Sequence, residues 1–370
     1  MADSRLHQLS ARGQSVWIDY LSRDMLQQGE LARMMDTDAV VGVTSNPTIF
    51  QKAISQGTAY DEQVQELLEH ETDAKEIFLQ LAVRDVEGAL DLLEPVHNRQ
   101  PEDGYVSLEV DPTLAYDAEA TYDEAIRFHS WIDRPNLYVK IPATKPGLWA
   151  IEDCIAAGKS INVTLIFSLE RYREVAEAYL RGLERLVAGG GNPAKVRSVA
   201  SFFVSRVDTE ADKRLEAIGS DEALALRGKL AVANARLAYE HYGDAFSGPR
   251  WDFLAGKGAS QQWCLWASTS TKNPDYRDTI YVEDLIAPDT VNTMPLETIE
   301  AFQDHGVVQG DTVLEGVEAA HELFGAIREA GVDYDDVTAV LEAEGVQKFA
   351  DSFDEIMDSI KAKRRALAAA

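Results

Sequence analysis

Lys140 has the surroundings in this sequence that most favour chemistry. It stands in the run Leu137-Tyr138-Val139-Lys140-Ile141-Pro142-Ala143-Thr144. Alternation there puts Leu137, Val139 and Ile141 on one face of a strand and Tyr138, Lys140 and Pro142 on the other. Pro142 has no N–H to give a ladder, so the strand ends near it and Lys140 lies close to the C-terminal end. An ammonium inside an apolar run costs free energy unless it is paired or sheds its proton. A desolvated lysine amine is the usual nucleophile for making an imine with a carbonyl substrate.

Polar residues in or just after other apolar runs supply what imine chemistry needs besides the amine. Asp19 follows Val16-Trp17-Ile18, and Thr44, Ser45 and Asn46 follow Val40-Val41-Gly42-Val43. Glu109 and Asp111 alternate with Leu108 and Val110, and Asn162 and Thr164 with Ile161, Val163 and Leu165. Ser201 and Arg206 lie in and after a sixth run, Ser268 and Lys272 after a seventh, and Asn292 and Thr293 in an eighth. An amine, two carboxylates for proton transfer, and hydroxyl and amide groups suit a polyhydroxylated carbonyl substrate. Each residue also has a plain structural reading. Asp19 can cap a helix, Asn46 beside Pro47 can shape a turn, and Thr164 can be β-branched core. Glu109 and Asp111 can form rim ion pairs, and Arg206 and Lys272 can be solvated loop cations. Singly most of these readings prevail, with Asp19 evenly balanced between cap and catalysis; recurrence at successive strand ends favours chemistry.

The elements that must gather these residues alternate along the chain. Strands are expected over residues 15–20, 40–45, 105–111, 137–143, 160–167, 196–204, 263–268 and 291–294. Helices are expected over 22–35 with Ser22 as cap, more than one over 48–94 after Pro47, then 118–132, 147–157 and 169–187. Helical segments follow over 210–242, divided at Gly219-Ser220, and the ambiguous stretch 279–286 is read as helix. Beyond Pro295 the chain reads as helical over 296–303, 311–330 and 335–365, with a break at Gly345. Strands alternating with helices mean a parallel sheet, and eight such units close into a (β/α)8 TIM barrel. No Gly-x-Gly-x-x-Gly turn follows a strand, and the glycines at 189–191 follow a helix, which disfavours an open dinucleotide-binding sheet. The expected organisation is one α/β domain: an added N-terminal segment, a barrel over about 15–300 and a helical C-terminal extension over about 301–370. Val313, Leu314, Val317, Leu323 and Ile327 of that extension are expected to pack on the barrel.

Composition bounds the partners. Asp and Glu number 63 against 35 Lys and Arg, a net charge of −28 over 370 residues. So acidic a surface argues against DNA, RNA or anionic membranes, and leaves any phosphorylated ligand to a few local cations. Cys154 and Cys264 make no disulfide framework, which points to a reducing, cytoplasmic setting. There is no apolar leader and no apolar run near the roughly 20 residues of a membrane span. None of the seven histidines pairs with a cysteine or carboxylate at ligand spacing, so no metal is expected.

In order along the chain, several of these blocks resemble the transaldolase family in the longer form common in bacteria. They are Asp19, Val43-Thr44-Ser45-Asn46-Pro47-Thr48, Val106-Ser107-Leu108-Glu109-Val110-Asp111, Tyr138-Val139-Lys140-Ile141-Pro142 and Ile161-Asn162-Val163-Thr164-Leu165-Ile166-Phe167-Ser168. Ala200-Ser201-Phe202-Phe203-Val204-Ser205-Arg206, Trp266-Ala267-Ser268-Thr269 and Val291-Asn292-Thr293-Met294-Pro295 complete the set, which spans about residues 16–295. The resemblance implies transfer of a dihydroxyacetone unit, without a cofactor, from fructose 6-phosphate or sedoheptulose 7-phosphate to erythrose 4-phosphate or glyceraldehyde 3-phosphate. That reaction belongs to the non-oxidative pentose phosphate pathway. The resemblance also implies roles. Lys140 forms the Schiff base, Asp19 takes and returns the hydroxyl proton, and Glu109 shuttles protons through a water held with Thr164. Asn46 and Ser201 hold the dihydroxyacetone moiety with Asn162 close by, and Arg206 and Ser268 bind the phosphate.

The chain departs from the family pattern after Ser268. Shorter relatives carry an arginine shortly after this serine; here the run is Ser268-Thr269-Ser270-Thr271-Lys272-Asn273, which makes Lys272 the second cation. A lysine cannot make arginine's bidentate contact. Ser205, at a position of glycine in relatives, is a smaller departure. Fructose 6-phosphate aldolases of the same superfamily, which release free dihydroxyacetone, carry glutamine in place of Glu109 and tyrosine in place of Phe203. A barrel reduced to a binding protein would lack the lysine or a carboxylate, and neither is missing. Sugar phosphates are the expected partners, and monomer and homodimer both stay open.

Overall fold

The strands form where continuous apolar, β-branched runs can be buried on both faces. A computed structural model describes residues 4–56 and 58–368. It contains β1 (Gln14–Ile18), β2 (Val40–Thr44), β3 (Val106–Glu109), β4 (Leu137–Pro142), β5 (Ile161–Ile166), β6 (Ser198–Phe203), β7 (Trp263–Ala267) and β8 (Thr290–Met294). Neighbours pair in parallel in chain order, and β8 pairs with β1 to close the barrel. Each strand lies within two residues of its expected bounds. Inward positions alternate with positions facing the helices, as the reading of Lys140 requires.

The barrel interior is layered. At the N-terminal ends of the strands Tyr138 stacks on Tyr105 at 4.0 Å between ring centroids and meets Trp17 at 6.1 Å. The indole N–H of Trp17 donates to Asp103 Oδ1 at 3.1 Å, while Ser15 and Gln100 donate to Oδ2 at 2.9 and 3.0 Å. Burial pushes the Asp103 carboxyl up to about 6. Gly42 faces the Trp17 ring so closely that a Cβ there would overlap it. Gly42→Ala is therefore expected to lower unfolding free energy by about 1–3 kcal/mol, read as a lower denaturant midpoint at unchanged slope. Above this seal a satisfied polar layer crosses the barrel. Asn162 Nδ2 donates to Ser107 Oγ at 3.0 Å, and Ser201 Oγ donates to Asn162 Oδ1 at 2.7 Å.

The helices depart from expectation in several places. The 22–35 stretch divides into Arg23–Gln27 and Glu30–Thr37, because Gly29 takes φ +70° between them; Ser22 does cap the first, accepting from Met25 N. A helix at Gly248–Ala255 was not foreseen, while the ambiguous 279–286 stretch does hold a short helix, Ile280–Glu283. Gly345 does not break the tail: a single helix runs from Tyr334 to Ala368. Of the apolar positions in the extension, Val313 and Ile327 are buried, whereas Leu314 is 52% exposed. The long helix packs on Pro47–Gln56, where Thr48 and Ser352 hydroxyls meet at 2.8 Å, and Phe353 packs edge-on to Phe78 at 5.6 Å. Among the described residues no helix is long and apolar enough to cross a membrane.

Candidate active site

A cavity of about 560 Å³ opens at the C-terminal ends of the strands, a size usual for small-molecule sites. Lys140 reaches it from β4 and is only 4% exposed. Its Nζ donates to the Ser45 carbonyl at 3.3 Å. The register of β3 and β4 sets Glu109 beside it, with Oε2 3.6 Å from Nζ, an ion pair too long for a hydrogen bond. Burial drives the Glu109 carboxyl up to about 7, against the pull of Lys140. Both Glu109 oxygens and Thr164 Oγ are buried and take no hydrogen bond from the described protein. Buried polar atoms of this kind are ordinarily satisfied by water.

Asp19 continues β1 by one backbone hydrogen bond to Met294 O and lines the cavity. Thr44 Oγ donates to Asp19 Oδ1 at 2.7 Å and contacts Thr293 Oγ at 2.6 Å. Desolvation holds the Asp19 carboxyl above the ordinary carboxylate range, opposed by Lys140, the Thr44 hydrogen bond and Arg206. It caps no helix, since Ser22 does that. Lys140 thus faces two carboxyls, both raised by burial, on different strands. That is the division of proton tasks needed by chemistry with more than one transfer step.

The cavity wall also includes Asn46, Ser201, Arg206, Ser268 and Lys272. Asn46 serves two ends, because its Oδ1 accepts from Ile49 N and so starts the Pro47–Gln56 helix. Ser268 takes φ +56°, a left-handed conformation of the kind concentrated at functional sites. Ser205 holds it there: its N–H donates to Ser268 O, and the two hydroxyls lie 3.0 Å apart. The Ser205 side chain thus has a structural purpose. The Arg206 guanidinium sits 5.2 Å over the Phe203 ring, and Lys272 Nζ donates to Ser270 Oγ. Asn162 and Thr164 are fully enclosed behind the cavity wall, and Glu109 is buried behind it. Asp111 lies outside the cavity. It pairs with Lys75 at 2.7 Å and accepts from Thr113, so its rim reading is the right one.

Two cations of the wall were not foreseen, Lys52 and Lys348. Lys52 follows Thr48 by one helical turn, so a helical projection from Asn46 would have found it. Lys348 comes from the C-terminal helix, and no local pattern links it to the barrel. Among the described residues no group of His, Cys, Asp and Glu is placed to hold a metal ion.

Residues 16–360 match the family model described as Transaldolase/Fructose-6-phosphate aldolase. A protein of Parafrankia sp. named Transaldolase is 53% identical over 357 residues, covering 96% of this chain and 97% of the relative. Proteins of the same name from Mycolicibacterium paratuberculosis and Mycobacterium tuberculosis are 53% and 52% identical over 95% and 96% of this chain, and 94% and 95% of their own lengths. With a closed eight-stranded barrel, a buried lysine at the end of β4 and family likeness along nearly its whole length, the chain belongs to the transaldolase/fructose-6-phosphate aldolase family.

Proposed function

We propose that this chain is a transaldolase of the non-oxidative pentose phosphate pathway, working in the cytoplasm on sugar phosphates. The observation that carries the reading is the enclosed Lys140 amine facing Glu109 and Asp19 beneath a cationic rim. Lys140 Nζ adds to the C2 carbonyl of fructose 6-phosphate, and the carbinolamine loses water to give a protonated imine. Glu109, through a water shared with Thr164, moves the protons of this dehydration and of the later hydrolysis. Its carboxyl near 7 can both give and accept a proton at neutral pH. The imine nitrogen draws electrons from the C3–C4 bond as Asp19 takes the C4 hydroxyl proton. Glyceraldehyde 3-phosphate leaves, and the dihydroxyacetone carbons stay on Lys140 as an enamine. Erythrose 4-phosphate then accepts the nucleophilic carbon at its aldehyde, Asp19 returns the proton, and hydrolysis frees sedoheptulose 7-phosphate. Asn46 and Ser201 hold the three-carbon unit, with Asn162 fixing Ser201; Arg206, Ser268 and Lys272 hold the phosphate.

Glu109 and Phe203 favour transfer over simple aldol release, since the aldolases resembling this chain carry glutamine and tyrosine there. Borohydride reduction in the presence of fructose 6-phosphate, read by intact mass and peptide mapping, tests the reading. A dihydroxyacetone-sized adduct on Lys140 is expected, discharged when erythrose 4-phosphate precedes the borohydride. An adduct that erythrose 4-phosphate leaves in place would favour the aldolase, and no adduct would remove the imine mechanism.

A further inference from the structure

The phosphate end of the cavity is closed from outside the barrel. The Tyr334–Ala368 helix crosses it at Gly345, where a Cβ would lie 3.1 Å from Leu165 Cδ2 and 3.6 Å from Arg206 Nη1. Glycine, unfavourable inside an exposed helix, here lets the backbone come against the guanidinium. Lys348 follows by three residues, on the same helical face, and is exposed into the cavity beside the buried Phe349. Across from it stands Lys52, on the helix against which this one packs. Among the described residues, neither lysine lies within ion-pair distance of a carboxylate. In a chain of net charge −28, cations gathered on one cavity wall need a reason.

We propose that Lys348 and Lys52 are phosphate ligands, so that the C-terminal helix completes the substrate site and sets its preference for phosphorylated sugars. The proposal deepens the transaldolase reading and rests on it. Lys272 offers a single ammonium, which cannot grip two phosphate oxygens as a guanidinium does. Lysines reaching in from two other elements restore that grip with separate point charges. Their crowding is unfavourable without an anion: burial, then Arg206, Lys272 and Lys52, hold the Lys348 ammonium below its ordinary value. A dianionic phosphate relieves that repulsion. Glu297, also on the wall, lies close enough to Lys272 to favour its charged form.

The test uses the full chain with Lys348→Gln and Lys348→Arg. Calorimetry gives the affinity for inorganic phosphate, steady-state kinetics the KM for fructose 6-phosphate. Borohydride trapping compares fructose 6-phosphate with free dihydroxyacetone. Loss of one charge-assisted contact is expected to weaken phosphate binding and raise KM roughly tenfold in Lys348→Gln. Trapping should then shift toward the unphosphorylated ketone, and Lys348→Arg should recover most of the loss. Unchanged phosphate affinity in Lys348→Gln would overturn the proposal. So would an equal loss toward both ketones with a lowered melting temperature, which marks damaged packing. Should the parent give no Lys140 adduct with either ketone, the transaldolase reading fails, while the phosphate calorimetry still reports separately on Lys348.

Discussion

Lys140→Arg is expected to abolish transfer, lowering turnover by on the order of 10⁴-fold or more while the protein stays folded. Arginine keeps the positive charge that Glu109 and Asp19 face, so the buried carboxyls retain a cationic partner. It cannot form the imine, because a guanidinium remains protonated under all working conditions. Borohydride with fructose 6-phosphate should then leave the mass of the variant unchanged. A coupled assay for glyceraldehyde 3-phosphate supplies the rate, and thermal melting supplies the control for folding. Activity within tenfold of the parent would make Lys140 a structural residue and the chemistry would have to be sought elsewhere in the cavity.

The second large effect is expected from Glu109→Gln. Glutamine matches glutamate in shape but cannot shuttle a proton, and general acid–base groups typically contribute 10²–10⁴-fold. Because burial has brought the Glu109 carboxyl up to about 7, the parent's rate profile should show a limb near neutrality that the variant lacks. The same group leaves a mark on stability, and its sign can be fixed. Its folded value lies above its ordinary 4.5. Its contribution to stability is therefore complete below about 4.5 and is lost as pH rises through about 7. Glutamine carries no such dependence. Going from pH 5 to pH 8, the melting temperature of the variant should rise relative to that of the parent. A pH-independent difference between the two would place the titration on another group.

Much of this was legible from the chain alone because the physics of a barrel strand is local. An apolar run with β-branched residues forms a strand wherever it can be covered, and a polar residue within it must face inward. Lys140, Asp19 and Glu109 were readable on that ground. What escaped reading depends on contacts distant in sequence. Gly345 looked like a helix break because propensity disfavours it, but packing against Leu165 and Arg206 overrides propensity. Lys348 lies far along the chain from Lys52 and Arg206 and meets them only after the helix docks. Asp111 shares its strand pattern with Glu109, yet Lys75, from a helix well upstream, fixes it outside the cavity.

The seal at the base of the barrel has a consequence for how this chain can change over time. Ser15, which donates to Asp103, and Asp19, which lines the cavity, are ends of one segment and stand about 13 Å apart by strand rise. Substitutions at such a separation, sharing no partner, combine additively to within roughly 0.3–0.5 kcal/mol. Gains in robustness won around Ser15 and Asp103 can therefore accumulate without retuning the groups that touch substrate. The two ends of the barrel are open to selection as independent traits.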